Sequence, residues 1–351
     1  SCHCRAATHA FAVPLSSLPL STHLCSCDIS RRISGSLLTS YINITHPTPS
    51  SPDPPKPNTS KLIAYNSSSI LKRWFCNTCG THMYLEYAHD GHFEAATGTL
   101  QSESLDGIVE VQSCMWIEDT KDGGASRFIR EIGGKEVKRW AQEAGKSEEV
   151  ELDWQSTHPA GTGGDTKRGT KKEEKGRTAV YAHCHCRGVS FWITHPNEAS
   201  KNAGSPWPDL VIPDYLHQSQ NPKNHPWWTP GGNKFLAGTC TCHSCRRASG
   251  FDITFWSFIP TVNIFLDSAL TQSFPPSGHW GTMQTYTSSP GVTRTFCTTC
   301  GANVFWSGSE ETHGRRDLID VAVGLLDASS GARAEELLAW WPGRVSFRED
   351  A

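Results

Sequence analysis

The cysteines constrain this chain more than any other feature. Thirteen of its fourteen cysteines fall in close groups: Cys2 with Cys4, Cys25 with Cys27, Cys76 with Cys79, Cys184 with Cys186, Cys240 with Cys242 and Cys245, and Cys297 with Cys300. Only Cys114 stands alone. Two cysteines one or two residues apart are poor disulfide partners, because the bridge demands a specific separation and direction of the side chains. They are good chelating hooks, since a tight turn aims both thiolates at one ion about 2.3 Å away. The alternative is an extracellular disulfide scaffold, but such scaffolds are usually below about 80 residues and have no other way to build a core. This chain has 351 residues, 37% of them hydrophobic, which is enough for two cores. Zinc binding in a reducing compartment follows, the cytoplasm first and the nucleus second.

The groups recur in order. One run reads Cys2-His3-Cys4-Arg5, then Cys25-Ser26-Cys27 leading through Ser30-Arg31-Arg32 to Gly35, then Phe75-Cys76-Asn77-Thr78-Cys79-Gly80. The second reads Cys184-His185-Cys186-Arg187, then Cys240-Thr241-Cys242-His243-Ser244-Cys245-Arg246-Arg247 to Gly250, then Phe296-Cys297-Thr298-Thr299-Cys300-Gly301. A Gly-x-Leu turn follows each last pair, at Gly98 and at Gly324. The chain therefore reads as a tandem duplication: a first domain over 1–145, a charged flexible linker over 146–178 and a second domain over 179–351.

Counting divides the ligands. A complete repeat holds seven cysteines, one short of two closed tetrahedral sites. The outer pairs close a four-sulfur site, Cys184, Cys186, Cys297 and Cys300 in the second repeat and Cys2, Cys4, Cys76 and Cys79 in the first, and such a site carries folding energy by joining distant segments. The middle group, Cys240, Cys242 and Cys245, supplies three ligands and leaves a fourth position open, as catalytic zinc requires. In the first repeat Ser30 replaces the third cysteine, so only Cys25 and Cys27 remain as a partial site. Asp28, His46 and His82 are the available substitutes. Cys114 reads as a small buried hydrophobe.

Runs rich in aromatic and β-branched residues, such as Thr254–Ile259 and Leu318–Val323, make both repeats mainly β. One short amphipathic helix is expected over Lys135–Ala144, where Val137, Trp140, Ala141 and Ala144 keep helical spacing after Gly133-Gly134. The Pro-rich stretches at 45–57 and 196–232 read as surface loops, and the tryptophans of the second, Trp207, Trp227 and Trp228, as anchors pinning it rather than as the cover of a pocket. The basic cluster Lys167–Lys175 reads as linker solvation.

A Cys-His-Cys start, a Cys-x-Cys-x-x-Cys-Arg-x-x-x-Gly middle and a Phe-Cys-x-x-Cys-Gly end resemble the glutathione-dependent formaldehyde-activating enzyme family, also called the centromere protein V domain family. The resemblance covers nearly the whole chain outside the linker and the long insertions. It implies two domains of layered antiparallel sheets in a β-tent, with short helices and long loops. Each would hold a structural zinc on the outer pairs and a second zinc on the middle triad. For the enzymes of the family it implies carbon-sulfur lyase chemistry, with S-hydroxymethylglutathione formed reversibly from glutathione and formaldehyde. Carried over, Cys184, Cys186, Cys297 and Cys300 match the structural ligands and Cys240, Cys242 and Cys245 the catalytic ones. Two departures stand out: Arg5 and Arg187 occupy a position where the family commonly has glycine, and Ser30 removes a ligand.

The expected activity is a zinc-dependent carbon-sulfur lyase in the second domain, joining or releasing a small glutathione-like thiol and an aldehyde. Arg246 and Arg247, directly after the triad, are candidates to hold a substrate carboxylate, or else form an ordinary surface ion pair. His243 reads as an exposed turn residue or a proton relay. A zinc-stabilised interaction module without catalysis is the competing reading, and chromatin or microtubule association through the basic linker a third. Net charge of -3 gives no global field to hold nucleic acid, and no run approaches the roughly 18 apolar residues of a membrane span. With Ser1 in place of an initiator Met and Cys2 already inside a motif, the N-terminus reads as incomplete. The oligomeric state is left open.

Overall fold

The computed structural model describes residues 1–45, 56–102, 105–156, 179–205, 221 and 223–350. Its first segment contains β1 (Leu20–Cys25), α1 (Asp28–Ser34), β2 (Tyr41–Asn43), β3 (Leu62–Asn66), β4 (Leu71–Cys76), β5 (His82–Tyr87), β6 (Phe93–Ala96) and β7 (Val109–Met115), then the short strands β8 (Glu131–Ile132), β9 (Lys135–Glu136) and β10 (Lys138–Arg139). The second contains β11 (Ala179–His183), β12 (Ser190–Thr194), β13 (Phe235–Cys240), α2 (His243–Ser249), β14 (Thr254–Pro260), β15 (Ile264–Phe265), β16 (Met283–Ser289), β17 (Val292–Cys297), β18 (Asn303–Gly308), α3 (Glu310–His313), β19 (Leu318–Ala322), β20 (Leu326–Asp327) and β21 (Leu338–Ser346). The protein is mainly β. The two large sheets run β2-β6-β5-β4-β3 and β16-β17-β18-β19-β14-β13-β21, flanked by β1-β7-β10 and β15-β12-β11-β20. Most pairings are antiparallel; β7 pairs in parallel with β1 and β10, and β13 with β21.

The middle cysteine motif is a capped helix. In α2 the Cys242 sulfur accepts the Cys245 N–H at 3.3 Å, and Gly250 closes the helix in the left-handed region at φ 91°. α1 repeats this with Cys27, Ser30 and Gly35, whose φ is 76°. The sulfur thus takes the place of the usual oxygen cap, and glycine supplies a conformation costly for other residues. Arg5 and Arg187 adopt φ of 63° and 60°. A side chain in this left-handed region costs about 1–2 kcal/mol at each position, a cost that glycine avoids.

The segments share their largest core, and the first keeps a smaller one of its own around Ile42, Met83, Tyr84 and Phe93. The largest apolar cluster joins Leu24, Leu37, Ile117 and Val137 of the first to Phe191, Phe235, Val304 and Leu325 of the second. Their contacts are reciprocal. Gly324 N–H donates to Gly35 O at 2.8 Å and Gly98 N–H to Gly250 O at 3.0 Å, so each Gly-x-Leu turn rests on the helix cap of the other segment. His3 Nδ1 lies 2.8 Å from Tyr286 OH, and His185 Nδ1 lies 2.7 Å from Tyr65 OH.

Three expectations change. Lys135–Ala144 is not a helix: β8 and β9 form a hairpin through 133–134, and Lys138 and Arg139 pair with Ser113 and Cys114. Val137 and Arg139 are buried while Lys138 is exposed, a strand's alternation. Residues 149–156, expected in the flexible linker, are packed: Trp140 bridges Glu149, Ser156 N–H bonds Lys121 O, and Val150 and Trp154 lie on the shared core; residues 157–178, with the basic cluster, lie outside the described residues. A large core shared by both segments, beside the first segment's smaller one, takes the place of the two separate cores expected. Residues 46–55, 206–220 and 222 of the two insertions, including Trp207, also lie outside the described residues. Trp227 and Trp228 are buried against Leu236, Phe258 and Leu318, and Trp228 Nε1 donates to Ser200 O at 3.0 Å, which is the anchoring role expected of them.

Candidate metal centres and the open triad

Among the described residues, three groups of thiols have all their sulfurs within 4.8 Å of one another: Cys2, Cys4, Cys76 and Cys79; Cys184, Cys186, Cys297 and Cys300; and Cys240, Cys242 and Cys245. Each joins parts of the chain as the counting required. The first ties the N-terminus to the β4–β5 turn, the second ties the β11–β12 turn to the β17–β18 turn, and the third is local to the end of β13 and the start of α2. Neighbouring sulfurs stand 3.5 Å apart for Cys2 and Cys4, 3.6 Å for Cys4 and Cys76, and 3.5 Å for both Cys184–Cys186 and Cys186–Cys297. A tetrahedral ion about 2.3 Å from each sulfur sets them about 3.8 Å apart, so the four-sulfur sets fit zinc. Backbone N–H groups of Ala7 and Val189 donate to the sulfurs of Cys2 and Cys184 at 3.3 and 3.4 Å, and the Thr81 and Thr282 hydroxyls sit 3.1 and 3.0 Å from those of Cys79 and Cys297. These contacts orient the ligands and favour their charged form.

The triad differs in having a cavity beside it. Cys240, Cys242, Ser244 and Cys245 form one side of a space of about 280 Å³ whose remaining walls include Trp256, Phe258, Val292, Arg294, Trp306 and Asp320. Sheet register explains the wall. Arg294 on β17 faces Trp306 on β18, Trp306 faces Asp320 on β19, and Asp320 faces Phe258 on β14. One row of cross-strand partners therefore runs from the triad's arginine to the far wall. Arg294 Nη2 donates to Cys245 Sγ at 3.4 Å and to Ser244 Oγ at 3.1 Å, and its Nε donates to Ser288 Oγ at 3.2 Å. Hydrogen bonds from the Cys240 and Cys242 thiols, and then the Arg294 charge, hold Cys245 well below the usual thiol range, while sharing with the same neighbours pushes Cys240 up. His3, carried between two ligands of the first four-sulfur set, reaches across to Ser244 Oγ at 3.2 Å.

Arg294 was not singled out in the sequence, although Arg73 and Arg294 stand at matching positions, each three residues before the first Cys of its last pair. Arg246 and Arg247, the expected substrate holders, are not among the residues lining the cavity. Arg246 is buried and donates to Ser102 O at 3.3 Å, and the Arg247 carbonyl accepts from Thr81 Oγ1 at 2.9 Å. His243 is half-exposed outside the cavity; its backbone N–H donates to Asp350 at 3.0 Å.

In the first segment Ser30 Oγ lies 3.2 Å from Cys27 Sγ and 3.6 Å from Cys25 Sγ, with Arg73 Nη2 donating to that hydroxyl at 3.2 Å. The arrangement copies the second segment's except for the missing sulfur. The proposed substitutes do not fill it: Asp28 pairs with Arg31, and His82 Nε2 lies 3.0 Å from the carbonyls of both Ile33 and Gly301. His46 is outside the described residues. Cys114 is buried in the shared core, and burial pushes its thiol up to about 12, as a structural cysteine requires. His89, Asp90 and His92 form a further group on the β5–β6 turn that the sequence reading did not pick out.

The family model described as glutathione-dependent formaldehyde-activating enzyme matches residues 1–118 and 230–342. The chain belongs to this family. The two matched stretches are the two segments, each with its helix-capping cysteine motif and its last cysteine pair. The second match begins after Cys184 and Cys186, so their place in a four-sulfur set rests on the sulfur positions themselves. No curated protein and no solved structure matches the chain.

Proposed function

We propose that the second segment is a zinc-dependent carbon-sulfur lyase that joins and releases a small thiol and an aldehyde at Cys240, Cys242 and Cys245. The observation that carries this reading is the convergence of three thiols beside a cavity, with Arg294 bonded to one of them. Zinc bound by these thiolates supplies Lewis acidity toward a carbonyl oxygen or a position for a substrate thiolate. Arg294 offsets the negative charge of the cysteines and fixes the Cys245 rotamer. The cavity walls bring sulfur and carbonyl carbon together and keep bulk water away. In the forward direction the S–C bond forms, the C=O π bond opens and the thiol proton ends on the oxygen. The reverse step breaks the S–C bond and returns both partners without an oxidant or reductant. The four-sulfur sets serve folding, and the first segment serves as partner. The grouping of the cysteines into metal-binding sets fits a reducing location, the cytoplasm in this reading.

The test is zinc per chain for wild type and Cys245→Ser purified under reducing conditions, followed by turnover of formaldehyde with glutathione and with phenylmethanethiol. Three ions falling to two, with circular dichroism unchanged and turnover lost, is the expected result. Equal zinc in both proteins after added zinc overturns the catalytic role of the triad.

A further inference from the structure

The cavity beside the triad has a chemical character of its own. Opposite the triad, one wall comes from a single face of the seven-stranded sheet, with Trp256 and Phe258 two apart on β14, Val292 and Arg294 two apart on β17, Trp306 on β18 and Asp320 on β19, and Ser289, His313, Ser346 and Phe347 add to the lining. Alternation along a strand sends every second side chain to the same face, so this wall is fixed by register and not by a mobile loop. Besides His313, its two charged side chains, those of Asp320 and Arg294, each have partners within the protein. Asp320 is paired with the Arg315 guanidinium, and Arg315 also lies 4.7 Å from the Trp306 ring centre and 5.7 Å from that of Phe258, which braces both rings. Arg294 is engaged by Cys245, Ser244 and Ser288. Apart from His313, Arg294 is the only cationic residue on the described wall. Glutathione carries two carboxylates and an ammonium group, and burying charges among indole and phenyl rings without free partners is unfavourable. The matched row of the first segment reads Arg73, Leu85, Glu94 and Asn43, so Trp306 and Phe258 have no aromatic counterparts there, while Tyr41, two before Asn43, stands where the second segment has Trp256.

From this wall, and resting on the reading of the triad given above, we infer that the thiol taken by the second segment is uncharged and apolar, its carbon group an aromatic ring or branched alkyl chain. The sulfur meets the triad and the carbon group lies against Trp256, Phe258 and Trp306. These three are specificity-determining residues.

The full-length chain loaded with cobalt in place of zinc gives a readout independent of turnover, since binding of an outside thiolate at the open position changes the cobalt absorption. Phenylmethanethiol and glutathione are titrated in parallel. Phenylmethanethiol is expected to bind at least about tenfold more tightly, the scale on which an apolar pocket discriminates. Trp306→Leu should remove most of that preference and leave glutathione binding within about twofold. Ser289→Arg, at an exposed position on the cavity rim, adds a cation without touching the core and should strengthen glutathione binding while leaving phenylmethanethiol unchanged; it decides the matter if the Trp306 variant fails to fold. Glutathione binding as tightly as phenylmethanethiol, or a Ser289→Arg protein with unchanged glutathione affinity, overturns the inference and leaves the lyase reading standing. Absorption that responds to neither thiol overturns the open triad itself, and the inference with it.

Discussion

At position 30 a hydroxyl held by Arg73 stands where the second segment has the Cys245 thiol held by Arg294. Everything else needed for a third ligand is present there, including the backbone N–H of residue 30 on the Cys27 sulfur at 3.3 Å, the same distance as from Cys245 to Cys242. Ser30→Cys should therefore raise zinc content by one ion per chain, measured by elemental analysis. A thiol introduced at this position that stays reactive to a thiol reagent in zinc-saturated protein would contradict this. A second residue-scale contrast is His82, whose place in the other segment is taken by Asn303. Burial first, and then the Arg73 charge, lowers the His82 pKa to about 4. Below its unfolded value of about 6.5 the unfolded chain takes up a proton that the folded chain refuses, so stability is lost as pH falls from 6.5 toward 4, by up to about 3 kcal/mol at roughly 1.4 per unit. His82→Asn should lessen that loss in denaturant titrations across this range, with thiolate protonation common to both proteins. The missing ligand at position 30 was readable from spacing alone. Arg294 was not, because its meaning depends on which strand lies beside β17 and on where α2 begins.

At the scale of elements, the helix caps and the glycine turns that rest on them carry the assembly. A Cβ at Gly324 would lie 2.4 Å from the Ser36 carbonyl oxygen and 2.6 Å from the Gly35 carbonyl carbon, and one at Gly98 would lie 2.6 Å from Phe251 N. Gly324→Ala is expected to cost about 2 kcal/mol through overpacking, read as a lowered urea midpoint with unchanged slope. The β character of the repeats, the cysteine motifs and the repeated glycine turns were legible because each has a local signature, whereas the middle motif, read as a turn, opens a helix in both segments. The stretch at 135–144 was misleading for a physical reason: Arg139, counted as polar, is buried because its guanidinium donates to the Val137 and Ile129 carbonyls. Counting it as inward turns a helical spacing into a strand's alternation. Register, and with it the aromatic wall, leaves no such local mark.

For the whole molecule, the shared core decides how it unfolds. Leu24, Leu37 and Val137 pack in one cluster with Phe235, Val304 and Leu325, so neither segment can lose its structure without exposing the other's apolar surface. A single calorimetric transition is expected for the full chain, with near-UV circular dichroism and tryptophan fluorescence changing together. Residues 179–351 expressed alone should lack a cooperative transition, and two well-separated transitions in the intact chain would contradict the shared core. The sequence made the duplication plain but suggested beads on a string, since nothing in either repeat announces that its glycine turn docks on the other's helix.

Those reciprocal contacts, His3 with Tyr286 and His185 with Tyr65, are what two identical subunits would make across a twofold axis. Carrying both halves on one polypeptide has an evolutionary consequence. In a homodimer every substitution appears twice, so losing one ligand empties both sites. Here Ser30 takes a thiol from one copy and leaves its sibling's three in place, and the pairing survives any dilution because the halves are joined covalently.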